Sequence, residues 1–420
     1  MIKKDTPIQA PRRVARLLLV VIALACPGQL NGGSAKHHSI RRTTEGQEFA
    51  VAFDKYVHDD SIVGAAYVLV KDGQAREWHS VGMADREVNQ PVDQNTIFHW
   101  GSITKTLTAV AVMQLRDRHL ISLDDSITKY VPELNRVHSD YGPVSQVTLK
   151  QLLSHTAGFQ NPTWPYRDEN KPWQPFEPTE WAQLVAMMPY QELAFKPGSK
   201  YSYSNPAFIY LARVIEKVSG LSYQTYIQRN ILTPLGMTHT YFNLTPAPLA
   251  KDRSNNYSIF VDTNGKETIK ANGREFDTGI TTPNGGLNAP LGDLVRWVAF
   301  LTGKNSQAKR PILSRATLEE MWRPVVAMNA SSDRPEFMGL SFFLDPRIMS
   351  SGPITFIGHG GNQAGFRAFF VFNPLTGIAM IAAFNTSHEA GHNKTETNAA
   401  RKSFAGFNDL REQSFSLLTK

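Results

Sequence analysis

Strand-like sequence sits at the two ends of this chain and helix-like sequence fills the middle, an order that few folds accommodate. Near the start, IVGAAYVLVKDGQAREWHSVGMAD (62–85) carries β-forming residues on both sides of Asp72-Gly73, a dipeptide suited to a tight hairpin turn. Four more strand-like runs come late: GLSFFL, ITFIGHGG, GFRAFFVFNP and GIAMIAAFN, with turns expected at Asn373-Pro374 and Thr376-Gly377. Between them the apolar spacing predicts helices over Ser102–Arg118, ATLEEMW and PLGDLVRWVAFL. EFAVAFDKYVHD before the hairpin reads as a helix from its apolar spacing, and NAARKSFAGFNDLREQSFSLL reads as a terminal helix able to cover the sheet. That order predicts one antiparallel sheet closed by both termini, with a helical region inserted. At 420 residues, 41% apolar and 19% charged, the chain can bury a core of that size.

The first 35 residues read differently from the rest. Lys3, Lys4, Arg12, Arg13 and Arg16 against Asp5 alone supply four of the seven net positive charges. They precede LLLVVIALA (17–25), an apolar run too short to span a bilayer. This is the pattern of an export signal, with cleavage expected near residue 25 or 35, a single folded domain over 43–420, and a periplasmic or secreted destination. No stable membrane insertion is expected once the signal is gone. Cys26, the sole cysteine, follows ALA as a lipid-anchored cysteine would, although Pro27 comes next. With one cysteine there is no internal disulfide framework. The remaining charge is too small and too dispersed for a nucleic-acid footprint, so a small molecule or a peptide is the expected partner.

Ser102 and Lys105 open the apolar helix at i and i+3, on one face. A serine at a helix N-terminus meets free N–H groups and the positive end of the dipole, which favour developing negative charge. A desolvated lysine beside it is one means of activating a hydroxyl that is otherwise a weak nucleophile. Two further segments can complete such a site. FKPGSKYSYSNPAF contains Tyr203-Ser204-Asn205, where the phenol can share a proton network with Ser102 and Lys105, and the Asn205 amide can hold a substrate carbonyl. Tyr201 reads as a packing aromatic. In IGHGGNQAGFRAFFVFNP, His359-Gly360-Gly361 is expected to end a strand. Its glycines permit close substrate approach, and the Asn362 N–H can join that of Ser102 in an oxyanion hole.

With S-x-x-K, Y-x-N and H-x-G in this order, the sequence resembles the serine β-lactamase and penicillin-binding-protein superfamily, in its class C β-lactamase, DD-peptidase and esterase branch. LLSHTAGF (152–159), ILTPLGMTHT (231–240) and NGGLNAPLGDLVRWVAF (284–300) look like further landmarks of it. The resemblance implies Ser102 as acylated nucleophile, Lys105 and Tyr203 as the proton-handling pair, and Asn205, His359, Gly360, Gly361 and Asn362 as substrate-binding. It also implies an α/β fold, a β-lactamase-like sandwich with an antiparallel sheet flanked by helices and an inserted all-helical region, and no cofactor. Many members carry K-T-G where this chain has His359, Gly360 and Gly361, and the lost lysine and threonine normally help seat a substrate carboxylate. An imidazole with an ordinary pKa of about 6.5 is mostly neutral at pH 7 and gains charge towards pH 6. The expected activity is therefore acyl transfer on small esters, D-amino-acid peptides or amides, or β-lactams, with carboxylate-bearing substrates gaining as pH falls. The alternatives are a class C-type β-lactamase or D-Ala-D-Ala carboxypeptidase, and a penicillin-binding sensor that acylates without turnover.

Three segments compete for attention. HEAGH (388–392) matches a zinc-hydrolase pattern, with Glu412 downstream as a third ligand, so a zinc hydrolase through His388 and His392 is the remote alternative. Gly391 and polar neighbours argue instead for a solvated surface or loop. His155 suggests a Ser-His-Asp triad, but no G-x-S-x-G elbow exists, and a structural residue capping the following turn is expected. The five-proline segment QNPTWPYRDENKPWQPFEP (160–178) reads equally as a surface loop or an aromatic rim over a cleft.

Overall fold

The first helix, α1 (Thr44–Asp59), carries Phe49, Phe53 and Val57 at four-residue intervals, so all three fall on one buried face. Thr43 caps it, its hydroxyl accepting from Gly46 N–H at 3.1 Å. The computed structural model describes residues 43–159, 178–304, 311–329 and 332–419. The export-signal reading, Cys26 and nearly all of the proline-rich segment lie outside the described residues.

Strands β1 (Gly64–Lys71) and β2 (Gln74–Asp85) form the expected hairpin, with Asp72 and Gly73 at φ 54° and 70° in the turn. The late strands are β3 (Phe343–Met349), β4 (Gly352–Gln363), β5 (Phe366–Phe372) and β6 (Ala379–Phe384). All pairings are antiparallel, in the order β2-β1-β6-β5-β4-β3, with short strands at 90–91, 337–338 and 326–327 extending the edges to nine strands. The earliest strand therefore pairs with the latest one, Ala65 opposite Phe384, as expected of a sheet closed by both ends of the chain. Two expectations shift. GLSFFL supplies only the beginning of β3, which continues across Pro346, and β4 runs on through His359-Gly360-Gly361 to Gln363. The turn falls at Ala364-Gly365, both at positive φ.

Each face of this sheet is covered. On one, Phe49 and Phe53 pack with Tyr67, Phe369 and Phe384, joined by Phe407 and Leu410 of the terminal helix (Lys394–Gln413). The other face carries the larger core, which holds the helical region and helix Leu291–Leu301. In its middle lies α2 (Thr104–Asp117), whose residues from Thr104 to Leu115 are all buried. A helix buried on every side lies in the centre of a core, and this one carries Lys105 there. Ser102 stands two residues before α2, in a tight turn where Lys105 N–H bonds the Ser102 carbonyl at 3.0 Å. Next to α2 runs α3 (Asn205–Ser219), capped by the Ser204 hydroxyl, with Pro206 in its first turn and Gly220 at φ 70° after its last.

Candidate active site

Three segments meet at the front of α2. Lys105 is wholly buried, and its Nζ lies 3.0 Å from Ser102 Oγ and 2.7 Å from the Asn284 carbonyl. The rings of Tyr203 and Phe208 stand 4.9 and 5.6 Å from the same nitrogen. No carboxylate touches it among the described residues, and burial holds its pKa well below the usual lysine range. Tyr203, immediately before the Ser204 cap of α3, hydrogen-bonds Ser102, and burial raises its pKa, so it stays a neutral phenol. Asn205 is the first residue of α3.

Strand β4 forms the opposite wall. A Cβ on Gly361 would stand 2.1 Å from the Trp100 carbonyl oxygen, a distance no side chain tolerates, and 3.5 Å from the Ser102 nitrogen. One on Gly101 would lie 3.1 Å from the Asn362 nitrogen. The two glycines thus let β4 close on the serine turn, and they bring the backbone nitrogens of Ser102 and Asn362 to the same place. Gly360 has open space around it, since a Cβ there would meet only the Ala368 carbonyl, at 3.7 Å.

His359 departs from its expected behaviour. It is 3% exposed and packs against Phe343, and its Nδ1 lies 2.6 Å from the Gly360 carbonyl. A carbonyl only accepts, so Nδ1 carries the proton and Nε2 is bare. Burial, with the nearby Lys105 ammonium second, pulls its pKa down to about 3. The expected imidazolium at pH 6 does not form, because that cation would sit in a dry pocket beside another.

His155 lies at the same centre. Its ring stacks on that of Tyr203 with centroids 4.4 Å apart, and its Nδ1 accepts the Ser204 N–H at 3.0 Å. Sequence reasoning placed it as a cap on its own turn and missed this contact, since nothing local announces a partner 49 residues away. The Asn284 carbonyl was likewise unforeseen as a Lys105 acceptor, although it lies in the NGGLNAPLGD landmark. Tyr201 does pack, edge-on to His155 at 6.0 Å.

The HEAGH segment is not a helix. His388 ends a short strand (Thr386–His388) paired in parallel with 256–261, is buried, and faces Glu267 at 3.5 Å. His392 is exposed and bonds Glu396 at 2.7 Å. Glu412 pairs with Arg347. The expectation that both histidines are solvated holds for His392 alone, and the three groups of the zinc alternative each have a different partner. Among the described residues no cluster of three metal-ligating side chains exists.

A model of the Beta-lactamase family matches residues 49–403. The chain belongs to that family. A beta-lactamase of Lysobacter lactamgenus is 25% identical over 379 residues, covering 84% of this chain and 90% of its own. Protein flp of Staphylococcus aureus (strain N315), 26% identical over 355 residues, is a longer protein of which this chain spans 65%, and the chain spans 34% of penicillin-binding protein 4* of Bacillus subtilis. A solved class C beta-lactamase superposes with a TM-score of 0.66 at 20% identity, over 88% of this chain and 98% of its own. A D-stereospecific amidohydrolase from Streptomyces sp. does so with 0.63 at 25% identity, over 84% and 98%. The mixed α/β fold with its large antiparallel sheet is shared with these structures.

Three buried histidines make the fold acid-sensitive. Burial lowers His99 to about 4 and His359 to about 3, and it lowers His155 well below the ordinary range. Between those values and about 6.5 the unfolded chain binds protons that the native chain excludes, so their contribution is complete above about 6.5 and declines as pH falls. Each group weakens the fold by about 1.4 kcal/mol per pH unit within its window. Urea unfolding at pH 7.5, 6.0 and 5.0 should show stability falling with a slope steeper than one histidine supplies.

Proposed function

We propose that the chain is an exported serine hydrolase that works through an acyl-enzyme on Ser102, acting on small esters and on D-amino-acid peptides or amides. The observation that carries this reading is the buried Lys105 nitrogen, 3.0 Å from Ser102 Oγ and without a carboxylate partner among the described residues. An amine desolvated in this way gives up its proton easily and can take that of the hydroxyl as Oγ attacks a carbonyl carbon. Tyr203, kept neutral, then protonates the departing oxygen or nitrogen and is reprotonated from Lys105. The Ser102 and Asn362 N–H groups would receive the oxyanion, and the Asn205 amide would hold a substrate carbonyl. Water cleaves the resulting ester and restores the hydroxyl.

The substrate class follows from what β4 lacks. His359 is neutral and buried, and Gly360 has no hydroxyl, so neither anchors a carboxylate as lysine and threonine do elsewhere in the family. This favours uncharged acyl substrates over cephalosporins. The second reading is a class C-type β-lactamase or D-alanyl carboxypeptidase, and the name of the Lysobacter relative, a beta-lactamase, supports the first of these. In a panel of p-nitrophenyl esters, nitrocefin and D-alanyl peptides, neutral esters should have the highest kcat/KM. Their ratio to nitrocefin should move by less than ~3-fold between pH 8 and 6, since His359 does not titrate there. Nitrocefin as the far better substrate would install the second reading. Stoichiometric acylation without turnover would make the protein a penicillin-binding sensor.

A fluorophosphonate should add its mass to the peptide containing Ser102, and the label should vanish in Ser102→Ala. Lys105→Ala and Tyr203→Phe should each cost ~10²–10⁴-fold in kcat/KM, and the double variant little more than the worse single one. Losses that multiply would separate the two residues.

Export rests on the basic and apolar pattern of residues 1–35 alone. Among the described residues no helix is long and apolar enough to cross a membrane. N-terminal sequencing of protein from its native host should find a start between residues 26 and 36, and a lipid on Cys26 would identify an anchored form.

A further inference from the structure

We infer that His155 is a positioning residue for the acyl transfer, acting through Tyr203 rather than on the substrate. It follows a short helix (Leu149–Leu153) and adopts φ 56°, a conformation few side chains accept. That turn presents three binding elements in one direction. The His155 carbonyl accepts the Ser202 N–H at 2.9 Å, and Nδ1 accepts the Ser204 N–H at 3.0 Å. Between those two bonds the imidazole lies nearly flat on the Tyr203 ring, at 25° and 4.4 Å. Three consecutive residues, Ser202 to Ser204, are therefore gripped by one residue.

The grip is specific in chemistry. Accepting the Ser204 N–H requires an unprotonated Nδ1, so the neutral ring carries its proton on Nε2. The side chain is 1% exposed and touches neither Ser102 Oγ nor Lys105 by hydrogen bond among the described residues. Its ring also packs on Phe208 at 5.2 Å, but its firmest link to the reaction is the placement of the phenol that bonds Ser102 and whose ring centroid lies 4.9 Å from the Lys105 nitrogen. A misplacement of about 1 Å at such a group costs on the order of 10²-fold in rate. Asparagine supplies an acceptor near the position of Nδ1 and tolerates positive φ, so it should preserve much of the grip, whereas leucine supplies neither.

The kinetic arm of the test rests on the acyl-transfer reading, and the spectroscopic arm does not. With a p-nitrophenyl ester, His155→Leu should lower kcat on the order of 10²-fold while KM stays within ~3-fold. His155→Asn should recover to within ~10-fold of the natural protein. In a Tyr203→Phe background, His155→Leu should cost less than ~3-fold, because the group it positions is gone. Equal losses in both backgrounds, or an unchanged kcat in folded His155→Leu, would overturn the inference. If the leucine variant does not fold, the asparagine variant and ¹⁵N-histidine NMR of the natural protein decide. The spectrum should show His155 neutral at pH 7 with its proton on Nε2, and a proton on Nδ1 would refute the inference. A natural protein that turns over no ester would instead count against the acyl-transfer reading and leave the NMR result standing.

Discussion

The Lys105 amine, wholly buried in the first turn of α2, is the constraint around which the rest of the site is arranged. Removing such a group from water costs several kcal/mol unless something compensates. Here compensation comes from the Asn284 carbonyl, the Ser102 hydroxyl and two aromatic faces, with no carboxylate among the described residues. A carboxylate would have stabilised the charge and spoiled the base. The arrangement therefore keeps the lysine tolerable in the core while leaving its proton weakly held.

That choice propagates outwards. A second cation next to Lys105 would be costly, and the two imidazoles nearest it are held neutral chiefly by burial, with the Ser204 N–H also occupying the Nδ1 lone pair of His155. His359 spends its proton on the Gly360 carbonyl, and His155 spends its lone pair on the Ser204 N–H. The pocket is basic in composition, yet burial disfavours charge on Lys105, His155 and His359 alike. A site of this kind polarises and shuttles protons well but offers an anion little at these positions, which is why the substrate reading leans to neutral acyl groups.

Much of this was legible in the chain. The paired strand groups at the two ends, the buried helix behind Ser102 and the Tyr203-Ser204-Asn205 turn all follow from short-range pattern, and the structure brings Ser102, Lys105 and Tyr203 into contact. What escaped was set by distant partners or by unadvertised backbone. Strand β4 outran its expected end because the turn is made by Ala364 in a left-handed conformation, and alanine is no turn signal. His388 was expected in solvent because its neighbours are polar, yet a parallel pairing with residues 256–261 buries it. The charge state of His359 could not be read from its identity, since depth in the core decides it.

The sheet order carries a consequence for how the molecule comes into being. Strand β6 lies between β1 and β5, so the first hairpin has no neighbour on that side until nearly the whole polypeptide has been made. Neither wall of the site can meet the other earlier, because Trp100 and Gly361 come from opposite ends of the chain. Pairings between residues so far apart along the sequence are slow to form, since long stretches must be ordered before any contact is gained. During synthesis Ser102 thus stays beside its own helix without the wall that β4 supplies, and the two come together only as β6 fills the gap in the sheet.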